Sequence, residues 1–233
     1  MRCRIADLLV QIPPQGDLPA RCKAYLSEGD APADIVIDPA CFQAETMERL
    51  GDVGGPYMES GRIFYWELPG FGGMMLHASA LEYAGRAYLF SGPSTVGKST
   101  HTRLWRELLG EDVKPINDDK PALRCIDGVW YAYGTPWCGK DGINRNVKAP
   151  VAGICFLKQG TENSIRKLEP TEAISHILSQ CVRKGPAHCM AKMLTLVDAL
   201  VRQIPIYELT NMPTLEAAEL SAGAMGAIHP VKS

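Results

Sequence analysis

A chain of 233 residues, 46% apolar and 21% charged, has the composition of an ordinary folded globule and excludes a disordered or low-complexity one. Its formal net charge of −2, with no lysine or arginine block, gives no support to a nucleic-acid partner. Eight scattered cysteines with no C-x-x-C pair point to reduced thiols and a cytoplasmic protein.

The N-terminus, Met1-Arg2-Cys3-Arg4, is basic, but the apolar stretch from Ile5 to Ile12 is interrupted by Asp7 and Gln11 and runs into Pro13-Pro14. That is too short and polar for a secretory signal, and no stretch approaches the length of a membrane span. Residues 1–75 read as a strand-rich N-terminal portion of the same domain that adds strands to its sheet, with a separate small subdomain as the alternative. Ile35-Val36-Ile37 is a β-branched run closed by Asp38-Pro39, and Arg62-Ile63-Phe64-Tyr65-Trp66-Glu67-Leu68 reads as a second strand ended by Pro69-Gly70. Between them Ala40 to Leu50 carries a weak helical pattern, followed by the turn-rich Gly51 to Pro56.

Residues 76–222 read as the core, organised around Gly92-Pro93-Ser94-Thr95-Val96-Gly97-Lys98-Ser99-Thr100, which fits the P-loop (Walker A) pattern G-x-x-x-x-G-K-[ST] at every fixed position. Gly92 and Gly97 allow the backbone to approach a ligand with its N–H groups turned inward at phosphate oxygens. Lys98 supplies a compact positive charge for the outer phosphates, and the Ser99 hydroxyl suits Mg²⁺, a hard cation that prefers oxygen. The flanks agree: Ala87-Tyr88-Leu89-Phe90 has the character of a strand, and a helix starting near Lys98 carries Leu104, Trp105, Leu108 and Leu109 at helical spacing before Gly110 stops it. A nucleoside triphosphate, ATP or another, with Mg²⁺ is the expected ligand of Gly92 to Thr100.

About twenty residues after Lys98, a length that one helix and a return strand occupy, Val113-Lys114-Pro115-Ile116-Asn117 leads into Asp118-Asp119. Such a strand brings both acids to the sheet end where open α/β sheets bind ligands. One carboxylate can serve the metal and the other can take a proton from an attacking hydroxyl.

Leu76-His77-Ala78-Ser79-Ala80-Leu81, the loop Gly92 to Thr100 and Ile116-Asn117-Asp118-Asp119 together resemble the C-terminal catalytic domain of the HPr kinase/phosphorylase family, with its phosphoenolpyruvate carboxykinase-like fold. The resemblance spans about residues 74 to 182 and continues more loosely through Ala152 to Gly160. It implies an α/β fold with a mixed β-sheet, Lys98 and Ser99 as phosphate and metal contacts, Asp118 as base, Asp119 as its metal-side partner and His77 as a neighbour of the site. The chain departs from the family in having Thr95-Val96 where those kinases carry Ser-Gly ahead of the second motif glycine, and Thr100 where they carry Glu. Residues 1–75 show no counterpart of that family's regulatory domain.

The stretch Tyr133 to Lys148 is loop-like, glycine-rich and basic, and Lys140 and Arg145 are candidates for a cation that offsets charge on a migrating phosphoryl group; Trp137 reads as a cover for a base or substrate, or as packing. Glu172 to Val182 and Cys189 to Gln203 read as amphipathic helices, the first after the N-cap region Glu169-Pro170-Thr171, and Ile206 to Leu209 as a last strand. His176, Cys181, His188 and Cys189 fit no standard zinc spacing, so buried thiols and solvated histidines are preferred. Gly223 to Ser233 reads as a flexible tail.

The favoured function is a nucleotide-dependent kinase acting on a hydroxyl of a peptide, protein or small molecule. The alternative is a nucleotide-binding switch or hydrolase that uses water. No nucleic-acid or membrane partner is expected, and assembly into a homo-oligomer stays open.

Overall fold

A computed structural model of the chain describes residues 1–181 and 185–228. In chain order it contains β1 (Arg2–Ile5), β2 (Leu8–Gln11), α1 (Leu18–Arg21), β3 (Ile35–Val36), α2 (Ala44–Glu67), β4 (Gly73–Met75), β5 (Ala78–Tyr83), β6 (Arg86–Ser91), α3 (Lys98–Leu109), β7 (Lys114–Asn117), β8 (Ala122–Ile126) and β9 (Val129–Tyr133). β10 (Lys148–Gln159), β11 (Ser164–Lys167), α4 (Pro170–Gln180), α5 (Ala187–Gln203), β12 (Ile206–Asn211) and α6 (Leu215–Ala224) complete it. Three hairpins turn on residue pairs with positive φ: Ala6-Asp7, Ala84-Gly85 and Asp127-Gly128. Positive φ at both central residues gives the turn whose twist matches that of the flanking strands.

The fold is α/β around a mixed sheet of nine strands. β10 joins its two halves. Its start, Lys148–Pro150, pairs antiparallel with β9 in the meander β4-β8-β9. From Val151, with an irregularity before Gly153, it runs parallel to β6, and from Ile154 also parallel to β12. Alternation sorts β6 between the faces: Leu89 packs with α4 and α5 residues Ile177 and Val197, whereas Tyr88 and Phe90 pack with Trp105 of α3 and Ala218 of α6. Both faces of this half are therefore covered, which explains the apolar run at 87–90.

Register sets the edge at which chemistry can gather. β5 runs antiparallel to β6, with Ala78 opposite Ser91, so His77 lies beside the point where β6 enters the glycine loop. β7 runs antiparallel to β5, with Asn117 opposite Ala80, so the chain leaves β7 into Asp118-Asp119 at that same edge.

The N-terminal third departs from expectation. β1, β2 and β3 form a separate three-stranded sheet, and of the first 75 residues only β4 joins the large one. The expected strand Arg62–Leu68 is the end of helix α2, and the turn-rich Gly51–Pro56 lies within that helix, which is broken only at Gly51 (φ 66°, ψ −173°). β-propensity at Ile63-Phe64-Tyr65-Trp66 yields to tertiary packing. Ser60, Gly61, Phe64, Tyr65 and Leu68 are buried at helical spacing against Trp137 and the small sheet. Gly61 permits the approach, because a Cβ there would stand 2.8 Å from the Trp137 ring.

Helix α3 and strand β12 match the expected ranges closely, and Gly110 ends α3 at φ 76°. Of the expected helix Glu172–Val182, α4 covers the part to Gln180, and Val182 lies outside the described residues. Of the expected tail, Gly223 and Ala224 close α6, and 229–233 lie outside the described residues.

Candidate functional site

The glycine loop leaves β6 at Gly92 (φ 142°) and enters α3 at Gly97 (φ 106°). A Cβ on Gly92 would meet Leu157 O and Val96 Cγ1, each at 3.1 Å, so the loop closes tightly on β10. Thr95 is also left-handed, at φ 69°, in a position where a β-branched residue is strained. Pro93, Ser94 and Thr95 are exposed at the loop's outer edge, whereas Lys98 is buried. The Lys98 ammonium turns back into the loop and donates to Gly92 O at 3.0 Å and Pro93 O at 3.1 Å. Burial lowers its pKa, and the nearby Asp119 carboxylate opposes that shift. A cation held in this way is positioned before any ligand arrives.

Asp119 stands next to it in a small ionic cluster. Its Oδ1 lies 3.1 Å from His77 Nε2, and its Oδ2 accepts from Lys120 Nζ. Burial pushes the Asp119 carboxyl up, but the bonds from His77 and Lys120 outweigh it and hold the group well below the usual carboxylate range. His77 is fixed from its other side, with Nδ1 3.0 Å from Gln180 Oε1 and its backbone N–H on Gln180 O at 2.8 Å. Strand β5 and helix α4 thus aim one imidazole at Asp119.

Asp118 has a different environment. Its Oδ1 accepts the Gly139 N–H at 2.6 Å, and burial, aided by Asp119, raises its pKa. Gly139 suits this contact because a Cβ there would come within 2.8 Å of Asp118 Oδ2. Asp118 and Ser99 line one cavity of about 230 Å³, with Arg103 and Arg106 of α3 on its wall. A second cavity, of about 440 Å³, runs along Gly92 to Val96 to Phe156, His176 and Gln180.

Asn117 is a residue whose part the sequence reading missed. It is fully buried, and its Nδ2 donates to Thr135 O and Trp137 O, each at 3.1 Å. Its Oδ1 accepts the N–H groups of Asp119 at 2.9 Å and Lys120 at 2.7 Å. One amide therefore shapes the carboxylate turn and ties it to the 135–137 loop. The available signal was an Asn directly before a turn, which favours side-chain bonds to the following backbone.

Other expected residues lie apart from this group. The Arg145 guanidinium reaches Glu82 Oε2 and Pro115 O, both at 3.4 Å, toward the far end of β5. Lys140 is exposed. Trp137 is packing: it stacks on Phe64 with centroids 4.8 Å apart and donates from Nε1 to Ser60 Oγ at 3.1 Å. Ser99 is exposed and Thr100 half-buried on the first turn of α3. His176 packs on Phe156 while His188 contacts its neighbour Cys189, and among the described residues no group of three or more His, Cys, Asp or Glu is placed to hold a metal. Among the described residues, no helix is long and apolar enough to cross a membrane.

No protein-family model matches the chain, and no curated protein does. Among solved structures it is similar to the Hpr(Ser) kinase/phosphatase from Coxiella burnetii, at 17% identity over 55% of this chain and 88% of that one, with a TM-score of 0.29. A superposition of that quality carries no argument about activity.

Proposed function

We propose that the chain is a nucleotide-dependent phosphotransferase of the HPr kinase-like type, with a phosphoenolpyruvate carboxykinase-like P-loop core, that moves a phosphoryl group from ATP or another nucleoside triphosphate to a hydroxyl. The observation that carries the reading is the gathering of Lys98, Asp119, His77 and Asp118 at the edge where β6 opens into the Gly92–Gly97 loop.

The donor set suits a nucleotide and Mg²⁺. The loop offers backbone N–H groups around Gly92 and Gly97 at the start of a twelve-residue helix, where the dipole also favours anions. Lys98 would hold the outer phosphates, with Ser99 and Asp119 on the metal side. Mg²⁺ would neutralise charge on the phosphates when bound.

The two acids suit different tasks. Asp119, held ionised by its bonds with His77 and Lys120, is a poor proton acceptor and a good fixed charge. Asp118 has no cation on its carboxylate among the described residues, and burial raises its proton affinity in the direction a general base needs. In this reading Asp118 takes the proton of the attacking hydroxyl, His77 orients Asp119, and neither Lys140 nor Arg145 is assigned a part.

Calorimetry with ATP, ADP and Mg²⁺ on wild type and Lys98→Ala tests it, together with labelled ATP and candidate acceptors. Loss of one charge-assisted contact is expected to weaken nucleotide binding about 10- to 100-fold. Unchanged affinity in Lys98→Ala, or label that appears only as free phosphate with every acceptor, would refute the reading.

A further inference from the structure

A cavity of about 610 Å³ lies beside the carboxylate turn and has no part in the nucleotide reading. Its walls come mainly from α2, the helix that belongs to the N-terminal third. Tyr57, Tyr65, Trp66 and Trp137 line it, and Met58 and Met75 add apolar surface. Lys120 closes one end, and the same ammonium is bonded to Asp119 Oδ2. The cavity therefore abuts the carboxylate cluster through one side chain.

Charge narrows the occupant. Among the described residues the wall contains two cationic side chains, Lys120 and Arg62, and no carboxylate. Glu59, which accepts from Arg62, is buried and does not line the space. The Arg62 Cζ lies over the Trp66 ring, 4.2 Å from its centroid, so its charge is fixed at the wall. Aromatic walls with fixed cations fit a ligand with a flat apolar body and an anionic end.

We propose that this cavity binds the phosphoryl acceptor, and that the acceptor is a small carboxylic acid with an aromatic or bulky apolar body and a hydroxyl group. The proposal rests on the kinase reading above and adds the substrate class. The apolar body stacks among the rings of α2, the carboxylate meets Arg62 or Lys120, and the hydroxyl points to the Asp118-Asp119 turn. In the reaction the hydroxyl oxygen bonds to the γ-phosphorus of the nucleotide, the bond from that phosphorus to the bridging oxygen breaks, the nucleoside diphosphate leaves and the hydroxyl proton passes to the carboxylate base.

Phenyllactate serves as the probe and 3-phenylpropane-1,2-diol, which lacks the carboxylate, as its neutral counterpart. Two tryptophans line the space, so quenching of intrinsic fluorescence on the full chain reports occupancy. Saturable quenching is expected with phenyllactate and about tenfold weaker binding with the diol, as loss of one charge-assisted bond implies. Met58 is 41% exposed at the cavity, so Met58→Glu and Met58→Lys should both fold, which thermal melting checks. Met58→Glu should weaken phenyllactate about three- to fivefold while Met58→Lys does not, because only the former adds a like charge at the partly solvated mouth. With labelled ATP, label should reach phenyllactate.

Equal weakening by both Met58 variants, equal binding of acid and diol, or binding without label transfer would overturn the proposal. If label reaches a serine peptide while phenyllactate neither quenches nor accepts it, this proposal fails and the kinase reading stands. If Lys98→Ala leaves nucleotide binding intact, the kinase reading fails on its own evidence.

Discussion

Replacing Asn117 by alanine should cost more stability than any single change in the phosphate loop. The side chain is fully buried, and its amide serves Thr135 O, Trp137 O, Asp119 N and Lys120 N at 2.7 to 3.1 Å. Each partner that loses its bond costs about 1 kcal/mol net, and more where water cannot replace it, so four partners give about 4 kcal/mol. A domain of this size commonly has about 5–15 kcal/mol in total, so the variant should stay folded but with a greatly lowered midpoint. Urea unfolding measures this directly, with the slope as a check that both variants unfold the same way. Phosphotransfer should fall as well, because the Asp119-Lys120 turn loses its shape, while Asn117→Asp should keep the two N–H bonds and fail at the Thr135 and Trp137 carbonyls. A loss below about 1 kcal/mol with an unchanged slope and normal transfer would show that the amide is not the tether described here.

Four further outcomes follow from the structure. Asp119 has a folded pKa below its unfolded value of 3.8, so its contribution is present above that pH and lost as pH falls through the folded value; the stability gap between wild type and Asp119→Asn should be open at pH 7 and close below about pH 4. Asp118 is shifted the other way, so Asp118→Asn should equal or exceed wild-type stability at pH 7 while turnover drops about 10²- to 10⁴-fold, and a stability loss at pH 7 would contradict the assignment. Burial lowers His101 from 6.5 to about 4, so wild-type stability should fall between about pH 6.5 and 4, by about 3 kcal/mol at most, and His101→Gln should flatten that slope. Thr95→Gly should raise stability by about 0.5–1 kcal/mol, the relief of a left-handed β-branched residue less the added chain entropy, and a lowered melting temperature would contradict the strain argument.

The phosphate loop and its flanks were legible because local sequence decides them. Glycines at positions with φ 142° and 106°, an apolar and aromatic run before them and helical spacing after them all act within about twenty residues. Helix α2 was not legible for the opposite reason. Its last turns have the composition of a strand, and only Trp137, the Phe64 ring stack and the small sheet, all distant in sequence or contributed by other elements, select the helix. Separation of β1–β3 from the main sheet was illegible too, since a four-residue strand carries no mark of which neighbour it will pair. At the site, Asp118 and Asp119 could be picked out as a pair, but their opposite pKa shifts depend on the tertiary structure: His77 and Lys120 lower Asp119, while burial raises Asp118 against the opposing bond from the Gly139 N–H.

That dependence gives the N-terminal third a place in the site. Tyr57 of α2 donates its hydroxyl proton to Cys138 O and accepts the Cys138 N–H, both at 2.8 Å. Ser60 Oγ accepts from Trp137 Nε1, and the Tyr65 hydroxyl bonds to Thr135 Oγ1 at 2.9 Å and to Lys120 O. Three side chains of one helix therefore grip the 135–138 segment, and the next residue, Gly139, presents its N–H to Asp118. Asn117 grips the same segment from the sheet side through Thr135 O and Trp137 O. Asp118 is thus held by a loop clamped between a helix of the N-terminal third and a strand of the core, and its environment depends on both. A carboxylate on a free turn would relax toward water and lose the burial that raises its proton affinity. The clamp keeps it at the sheet edge, one residue from an acid held ionised by its bonds with His77 and Lys120, so neighbouring carboxylates of the same type can differ in protonation chemistry.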